Sequence, residues 1–551
     1  MEDQLRKSIA KAAGGETEVE LSYPEESFGD YSTNIAMKLA AKDGRNPRAI
    51  AEEIALKLRQ SVPTIRQAEV AGPGFINLRL SDEALLEQMS EQPARPLEAK
   101  TIVSEFSDPN PFKLLHAGHL YTSIVGDAIA NLLELGGAKV YRVNYGGDVG
   151  LHVGKTMWAV LSNLGGENPT QLNNVPADKR GEWLSDAYVR GTKAYDEDEQ
   201  AKQQIIELNK RIYDLQASND HASSLAQIYW TTRQWSYDAL DRFYSRIQVH
   251  FDKYYPESQT APLGMEIVRR ELGKGVFEES DGAVVFRAEK YGLHTRVFIN
   301  SQGLPTYETK EVGLIMLKER DYHFDKSIII TGNEQEQYMA VVYKAIEQFA
   351  PGLADKSDHI THGMVRLAGN VKMSSRVGNI IKANDILDAA AEASKAVSGK
   401  EDERVVLAAV KYSFLKQRIG GDIIFDPEES VSILGNSGVY LQYAHARARS
   451  ILEKAGNSPS DGPVELTADE RPLVLKLSRY SRVVAQAAAE LSPHQVCTYL
   501  YDLAQEFNRF YEHNRVVGDE REAVRLRLVE SYAKKLKDGL ALLGIEAPEH
   551  L

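Results

Sequence analysis

A strand, a helix and a second strand follow one another early in this chain, and no other stretch constrains its fold as much. Thr101–Phe106 is a short β-branched and aromatic run, which the prolines of Ser107–Pro111 end. The segment that begins at His116–His119 (HAGH) then carries apolar residues at helical spacing, and Lys139–Asn144 has the pattern of the next strand. This order is typical of a doubly wound parallel sheet, in which nucleotides bind where the first strand meets the helix.

The composition indicates a globular, cytoplasmic protein. The chain of 551 residues is 43% hydrophobic, enough for about three or four domains with real cores. Its one cysteine, Cys497, excludes an internal disulfide framework and a thiolate zinc site. No apolar run approaches the roughly 18 residues of a membrane span, and the first residues lack the apolar core of a signal peptide, so we expect no membrane association. A net charge of −14 argues against broad, non-specific binding of nucleic acid.

The sequence predicts three domains. Residues 1–98 combine helical periodicity with a strand pattern after Gly72-Pro73-Gly74, which is typical of a small α+β domain. Residues 99–401 hold the α/β unit, a Rossmann-like parallel-sheet domain with a charged helical insertion around 160–250. Residues 402–551 are almost wholly helical and predict a helical bundle. The segments expected to complete the sheet after the insertion are Ala283–Phe286, Thr295–Asn300 and Lys326–Thr331.

A second polar stretch lies far downstream, at Gly369–Asn379. It places Lys372 and Arg376 among small hydroxyl residues between glycines, an arrangement suited to a polyphosphate that must bind and then leave. Taken alone, such a string is more typical of a solvated loop. The turns Phe28–Ser32 and Gly72–Asn77 are best interpreted, from residue types alone, as turns that support the fold.

The two polar stretches together resemble the two signature sequences of class I aminoacyl-tRNA synthetases. One is His-Ala-Gly-His at a helix start after a strand, and the other is the downstream Lys-Met-Ser-Ser-Arg. Further motifs narrow the resemblance to the arginyl-tRNA synthetase family and extend it over nearly the whole chain. They are EFSDPN at 105–110, NYGGD at 144–148, YETKE at 307–311, YLQYAHARARSIL at 440–452, and the N-terminal turns FGDYSTNIA and GPGFIN.

The resemblance implies an enzyme that ligates L-arginine to tRNA(Arg). ATP would be used through arginyl-adenylate, with AMP and pyrophosphate released, and Mg²⁺ would accompany ATP as its counter-ion. The resemblance also implies that pyrophosphate exchange needs tRNA; we further expect a cytoplasmic monomer with no metal site of its own. The alternative is a catalytically idle, tRNA-binding paralogue of the same fold, against which the intact set of His116, His119, Lys113 and Lys372 argues.

The resemblance also assigns residues to the reaction centre. The catalytic residues would be His116, His119, Lys113 and Lys372. The residues that bind ATP would be His116, Gly118, His119, Lys372, Met373, Ser374, Ser375 and Arg376. Ser375 stands where the family pattern has a second lysine, so a positive charge for the transition state must come from elsewhere. Lys113, three residues before His116, is the first candidate, and Arg376 is the second.

The same resemblance assigns separate sets of binding residues to arginine and to tRNA. Glu105 and Asn110 would hold the α-amino end of arginine, whereas Tyr307, Glu311 and Gln335 would contact its side chain. Family members usually carry aspartate where this chain has Glu311. The residues expected to contact tRNA are Phe75 and Asn77 at the D-loop, and Tyr440 and Tyr443 in the anticodon domain. Each of these four could instead support the fold.

Overall fold

The N-terminal unit packs helices against a three-stranded antiparallel sheet. The computed structural model of the protein describes residues 1–15, 17–25, 27–368, 381–456 and 465–551. The elements of this unit are α1 (Glu2–Ala12), β1 (Tyr31–Thr33), α2 (Ile35–Asp43), α3 (Pro47–Ser61), β2 (Ile65–Ala71), β3 (Phe75–Leu80) and α4 (Asp82–Met89). Asn46 caps α3 by accepting a hydrogen bond from the Arg48 N–H, and Pro47 is the first helical residue. Gly72 and Gly74, with φ of 52° and 146°, turn the chain between β2 and β3.

Five parallel strands form the central sheet of the next domain. The elements in chain order are β4 (Thr101–Glu105), α5 (Ala117–Leu135), β5 (Lys139–Gly146), α6 (Leu151–Asn163), α7 (Arg180–Glu197), α8 (Glu199–Ala217), α9 (Ser224–Arg246), β6 (Lys253–Pro256), α10 (Glu257–Leu272), β7 (Glu278–Ser280), β8 (Ala283–Phe286), β9 (Arg296–Ile299), α11 (Tyr307–Tyr322), β10 (Lys326–Gly332), α12 (Glu336–Glu347), α13 (Pro351–Ala354), β11 (Ser357–His362) and β12 (Val365–Leu367). The spatial order of the sheet is β11–β10–β4–β5–β6, and all neighbouring pairs are parallel. This confirms the predicted α/β fold class. The strand order reverses beside β4, which makes its carboxyl end the switch point at which such sheets bind ligands.

Two of the three strand segments expected to complete this sheet do not belong to it. Ala283–Phe286 is β8 and Thr295–Asn300 contains β9, and both pair antiparallel in a small separate sheet with β7. The connection between β8 and β9 is too short for the crossover that parallel strands need, so antiparallel pairing is the available arrangement. Lys326–Thr331 was expected correctly: it is β10, whose Ser327–Thr331 are buried, as is typical of a central parallel strand.

The C-terminal part is a helical domain, as predicted. The helix α14 (Ala383–Ser398) precedes it. The elements of the helical domain are α15 (Glu403–Leu415), β13 (Ile423–Phe425), α16 (Pro427–Ser430), α17 (Gly438–Ala455), α18 (Arg471–Ser478), α19 (Tyr480–Ala489), α20 (Pro493–His513) and α21 (Glu522–Leu542). The short β13 pairs with β12 and joins this domain to the central one. None of the helices in the described ranges is both long and apolar enough to cross a membrane.

A partly buried arginine joins the N-terminal unit to the helical domain. The Arg471 guanidinium, at the start of α18, lies 2.7 Å from the Asp30 carboxylate and also forms an ion pair with Asp82. The same guanidinium donates a hydrogen bond to the Leu80 carbonyl oxygen at 3.0 Å. The N-terminal unit is therefore fixed directly to the helical domain, and the surfaces of both are held in one arrangement around the central sheet.

Candidate active site

A cavity of about 370 Å³ lies at the switch point of the central sheet, between the loop after β4 and the turn after β10. The residues that line it are Ser107, Asp108, His116, Ala117, Gly118, His119, Thr122, Ile330, Thr331, Gly332, Glu334, Gln335, His362, Gly363, Met364, Val365 and Ile381. A second cleft, of about 650 Å³, opens between Lys113 and the insertion helices α7 and α9. The structure thus brings the predicted histidine motif and the turn after β10 to one cavity.

His116 and His119 are locked together at the start of α5. The Nδ1 of His116 accepts a hydrogen bond from the Gly118 N–H at 3.1 Å, and the Nδ1 of His119 accepts one from the His116 N–H at 3.2 Å. The two rings stack with their centroids 3.7 Å apart. A Cβ at Gly118 would come within 2.9 Å of the His116 ring, so glycine suits this position. Because both Nδ1 atoms accept, each Nε2 carries the hydrogen and can donate to a ligand in the cavity.

Both histidines are neutral at pH 7. Desolvation lowers the pKa of His116 and lowers that of His119 well below its usual value, and the positive charge of Lys113 lowers both further. The first turn of α5 adds backbone N–H donors and the positive end of the helix dipole. The motif therefore offers neutral donors to an anion, and a full positive charge has to come from another side chain.

Lys113 is a positively charged side chain close to the histidine motif. It is half-buried, and its Nζ lies 5.0 Å from the centre of the Tyr188 ring in insertion helix α7. Its charge acts on both histidines of the motif. The residues predicted for the downstream nucleotide loop, which include two further cations, lie outside the described residues. They are Lys372, Met373, Ser374, Ser375 and Arg376.

Three carboxylates and one lysine form a buried cluster at the end of β4. Glu105 Oε2 lies 2.5 Å from Lys318 Nζ, and both side chains are fully buried. Burial and the neighbouring Glu105 charge raise the pKa of Asp108 well above its usual range and that of Glu311 to about 8, whereas the Lys318 charge opposes both shifts. The cluster has more carboxylates than cations, so it favours a positively charged ligand.

The two carboxylate oxygens of Glu311 have different surroundings. Its Oε1 accepts a hydrogen bond from the Tyr338 hydroxyl at 2.8 Å. Its Oε2 is buried and has no hydrogen-bond partner in the part of the chain that the structure describes. Buried polar atoms are normally paired, so an unpaired carboxylate oxygen calls for an explanation. A guanidinium group, with its planar fork of N–H donors, would supply the missing partner.

The other residues predicted for this site lie in different surroundings. Asn110 Oδ1 accepts a hydrogen bond from the Gly147 N–H at 3.0 Å, which leaves the amide nitrogen to donate. Tyr307 is the first residue of α11 and is 51% exposed. Gln335 lies in the turn after β10 and lines the cavity on the side of the histidine motif. The structure thus brings Gln335 to the cavity, whereas Asn110 and Tyr307 are not among the residues that line it.

Sequence reasoning missed several polar residues near this site. Lys318 follows Glu311 by seven residues, and this helical spacing, which places both on one face of α11, was the available signal. Asp108 lies in the predicted turn but had no assigned role, and Tyr338 reaches Glu311 from α12. Lys310 and Glu257 form a further buried ion pair, which joins α11 to α10. No local pattern marks residues that meet only through the tertiary fold.

The residues predicted to contact nucleic acid lie away from the cavity. Phe75 is 39% exposed and Asn77 is mostly buried; the two are on the same face of β3 because they are two residues apart. Tyr443 of α17 is 41% exposed. Tyr440 is half-buried, and its hydroxyl accepts a hydrogen bond from the Asn508 amide at 2.8 Å. Phe75 and Tyr443 thus present accessible rings, whereas Asn77 and Tyr440 also contact their own domains.

Three family models match successive parts of the chain. "Arginyl tRNA synthetase N terminal domain" matches residues 1–80, "tRNA synthetases class I (R), catalytic domain" matches residues 81–425, and "DALR anticodon binding domain" matches residues 441–551. The catalytic family model alone therefore covers more than half of the chain.

Similar proteins match over the whole length. The arginine–tRNA ligase of Porphyromonas gingivalis is 31% identical, with 97% of this chain and 96% of that protein covered. The arginine–tRNA ligase of Bacteroides fragilis is 30% identical, with 100% of both chains covered. Among solved structures, Thermus thermophilus arginyl-tRNA synthetase superimposes with a TM-score of 0.81 at 26% identity, with 100% of both chains covered.

Proposed function

This chain belongs to the class I arginyl-tRNA synthetases, and on that basis we propose that it joins L-arginine to tRNA(Arg) in an ATP-dependent reaction through arginyl-adenylate. AMP and pyrophosphate are the other products. The alternative of a catalytically idle, tRNA-binding paralogue of the same fold has no observation in its favour. The histidine pair is arranged to donate two hydrogen bonds, and Lys113 stands beside it.

One observation carries the choice of substrate: the carboxylate cluster lacks a cation. Among the described residues, Glu311 has a buried oxygen with no partner, and Lys318 is the cation that offsets the charges of Glu105 and Asp108 beside it. Arginine brings two cations, its guanidinium and its α-ammonium. We assign the guanidinium to Glu311, with Tyr307 and Gln335 as further side-chain contacts and Glu105 and Asn110 toward the α-amino end.

The first chemical step is attack by the arginine carboxylate on the α-phosphate of ATP, with cleavage of the bond to pyrophosphate. Negative charge builds along the phosphates, and the site has to stabilise it. The Nε2–H groups of His116 and His119 donate to phosphate oxygens, and Gly118 leaves the start of the helix open to the nucleotide. Lys113, whose charge acts on both histidines, supplies a full positive charge from the turn before the motif.

The remaining nucleotide contacts are assigned to the downstream loop and to magnesium. The loop residues in this role are Lys372, Met373, Ser374, Ser375 and Arg376. Mg²⁺ would be bound mainly by phosphate oxygens, and the Glu334 carboxylate on the cavity wall is an oxygen ligand of the kind that it prefers. Bound there, the metal would neutralise part of the triphosphate charge. The catalytic set is thus His116, His119, Lys113 and Lys372.

Arginine-dependent exchange of pyrophosphate into ATP tests this proposal. With arginine and tRNA(Arg) both present, we expect exchange; with arginine alone, we expect almost none, as the family resemblance implies. Robust exchange without tRNA would contradict the proposed tRNA requirement, but it would still show that the protein activates arginine. No exchange and no arginyl-tRNA under any condition would favour the idle paralogue.

The affinity for arginine should rise with pH. Burial and the Glu105 charge raise the pKa of Glu311 to about 8, so most of this carboxyl is protonated at pH 7 in the free enzyme. A guanidinium binds the ionised form, and each pH unit below the pKa should therefore weaken arginine binding by up to roughly 10-fold. The KM for arginine should fall between pH 6.5 and 8.5, while the KM for ATP serves as the control. A KM for arginine that stays constant or rises over this range would contradict the assignment of Glu311.

The two peripheral domains are proposed to bind tRNA. Phe75 offers an exposed ring for stacking on a base of the D-loop, and Asn77 offers an amide on the same strand face. Tyr440 and Tyr443 have the corresponding role in the anticodon domain. The Arg471 ion pairs support this assignment, because they hold both surfaces in one arrangement.

Replacing both Phe75 and Asn77 by alanine should raise the KM for tRNA by roughly 10-fold or more, since a stacked base contributes about 1–3 kcal/mol. The KM values for ATP and arginine should not change. Leu56→Ala is the matched control, because Leu56 is a 49% exposed apolar residue of the same domain with no proposed contact. A double variant that fails to fold would instead assign both residues to the stability of the domain.

Three further assignments complete the proposal. We divide the chain into an N-terminal domain (1–98), a catalytic domain (99–401, with the insertion around 160–250) and an anticodon-binding domain (402–551). The three family models support this number and order of domains, with their own bounds at 1–80, 81–425 and 441–551. We propose that the enzyme acts as a monomer. We propose a cytoplasmic location, which the reduced, buried Cys497 fits.

A further inference from the structure

We propose that Tyr188 of the helical insertion is a positioning residue for Lys113, and that the insertion acts on the activation step through this aromatic ring. The inference rests on the proposed function, in which Lys113 supplies charge to the phosphates, and it deepens that function by giving the insertion a role. No sequence motif in residues 160–250 indicates such a role. The structure points to it because the insertion holds both the backbone and the ammonium group of Lys113.

The backbone just before Lys113 is anchored to insertion helix α9. The Phe112 N–H donates a hydrogen bond to the Ser236 hydroxyl oxygen at 3.1 Å. The Phe112 ring is buried, and its centroid lies 6.0 Å from that of Tyr229. Both partners belong to α9. The insertion therefore fixes the point from which the Lys113 side chain extends.

The ammonium group of Lys113 has the Tyr188 ring as its partner. Its Nζ lies 5.0 Å from the ring centre, within the range of a cation–π interaction. Among the described residues Lys113 forms no ion pair, and its flexible four-carbon stem would otherwise let the ammonium move. Both side chains are half-buried, which makes the interaction stronger than that of a fully exposed pair.

An aromatic partner suits a lysine that has to act on phosphates. A carboxylate would cancel the charge of Lys113, whereas a ring attracts the ammonium and leaves its charge in place. The charge reaches histidines on two sides. Burial lowers the pKa of His152 to about 3, and the Lys113 charge lowers it further. The same charge, after burial, lowers the pKa of His116 and that of His119. Held by Tyr188, the ammonium is thus close to the histidine motif and still fully charged.

Tyr188 is itself placed by closely packed helices. It lies in α7, three residues before Gly191, where a Cβ would clash with the Lys155 carbonyl oxygen of α6. The two helices therefore touch backbone to backbone about one turn from Tyr188. The buried Asp148 carboxylate, just before α6, lies 2.9 Å from Arg233 Nε and so joins α9 to the same frame. The ring is held independently of Lys113 and can fix the position of its ammonium.

Two substitutions of Tyr188 and one of Tyr195 test the proposal. Tyr188→Leu removes the aromatic face, and we expect it to lower kcat for pyrophosphate exchange, with arginine and tRNA(Arg) present, roughly 5- to 30-fold. Tyr188→Phe keeps the ring and should stay within about twofold of the wild-type rate. The KM values for arginine and tRNA should not change. Tyr195→Leu is the matched control and should leave kcat unchanged, since Tyr195 lies on the same helix with Lys155 4.3 Å from its ring centre.

Two further measurements show whether the effect passes through Lys113. In the Lys113→Ala background, Tyr188→Leu should lower kcat by less than about twofold, because no ammonium is left to position. Phenylalanines with one, two and three ring fluorines at position 188 keep the shape of the ring but weaken its attraction for a cation, so kcat should fall stepwise along the series. This series decides the question even if Tyr188→Leu does not fold.

The outcomes separate this inference from its premise. An equal loss from Tyr188→Leu with and without Lys113, or a constant kcat along the fluorinated series, would overturn it. A raised KM for tRNA with kcat unchanged would also overturn it and make Tyr188 a tRNA contact. Near-normal turnover of Lys113→Ala would remove the need for a positioning residue and overturn it as well. If the wild-type protein shows no exchange and forms no arginyl-tRNA, the proposed function fails instead, before any variant is compared.

Discussion

Lys113→Ala should lower kcat for arginylation by roughly 10- to 1000-fold, a loss of about 1.4 to 4 kcal/mol of transition-state stabilisation. The reason is that His116 and His119 are neutral at pH 7 and Ser375 replaces the second lysine of the family pattern. We propose that Lys113, whose charge acts on both histidines, supplies the missing positive charge. The KM for arginine should change little, because Lys113 does not belong to the carboxylate cluster proposed to bind arginine.

Three further variants make this test specific. Lys155→Ala is the matched control, since Lys155 also lies over a tyrosine ring of the insertion, 4.3 Å from the centre of Tyr195, and should leave kcat near normal. Arg376→Ala should be milder than Lys113→Ala. Ser375→Lys in the Lys113→Ala background should recover part of the lost rate by restoring a charge near the same phosphates. Near-normal turnover for Lys113→Ala beside a collapse for Arg376→Ala would transfer the role to the arginine.

Glu311→Gln should raise the KM for arginine by roughly 30- to 5000-fold, because removing one member of a buried, hydrogen-bonded charge pair costs about 2–5 kcal/mol. The glutamine can still accept the hydrogen bond from the Tyr338 hydroxyl, so the fold around it is kept. Glu311→Asp, the residue usual in the family, is the matched control and should cost at most about 10-fold. The KM for ATP should not change in either variant. Equal increases in the KM for arginine in Glu311→Gln and Glu311→Asp would mean that the shape of the side chain, and not its charge, determines arginine binding at this position.

The elements that could be predicted best are those whose sequence signals lie within a few residues of one another. The turn after β4 and the start of α5 at the histidine motif both depend on residues a few positions apart, and each was predicted from sequence. The cavity at the end of β4 followed from the same strand–helix–strand order. The roles at this site came from the resemblance to a family, whereas the geometry that supports them came from the structure.

The parts that could not be predicted depend on distant residues. Glu105 and Lys318 are 213 positions apart, and no periodicity marks them as partners. The sequence pattern of β8 and β9 identifies strands but not the sheet that they join, since pairing depends on the length and path of the connections. Asp108 was passed over for the same reason, because its neighbours Tyr145 and Glu311 come from other elements.

Aminoacylation with each of the amino acids in turn, with tRNA(Arg) and ATP present, tests the central claim most directly. A site with more carboxylates than cations and an unpaired Glu311 oxygen should charge arginine and no other amino acid. Lysine is the decisive competitor, because it carries the same net charge but its ammonium lacks the planar fork of the guanidinium. We predict arginyl-tRNA with arginine and only background with lysine. Equal charging with both, or charging with lysine alone, would contradict the account.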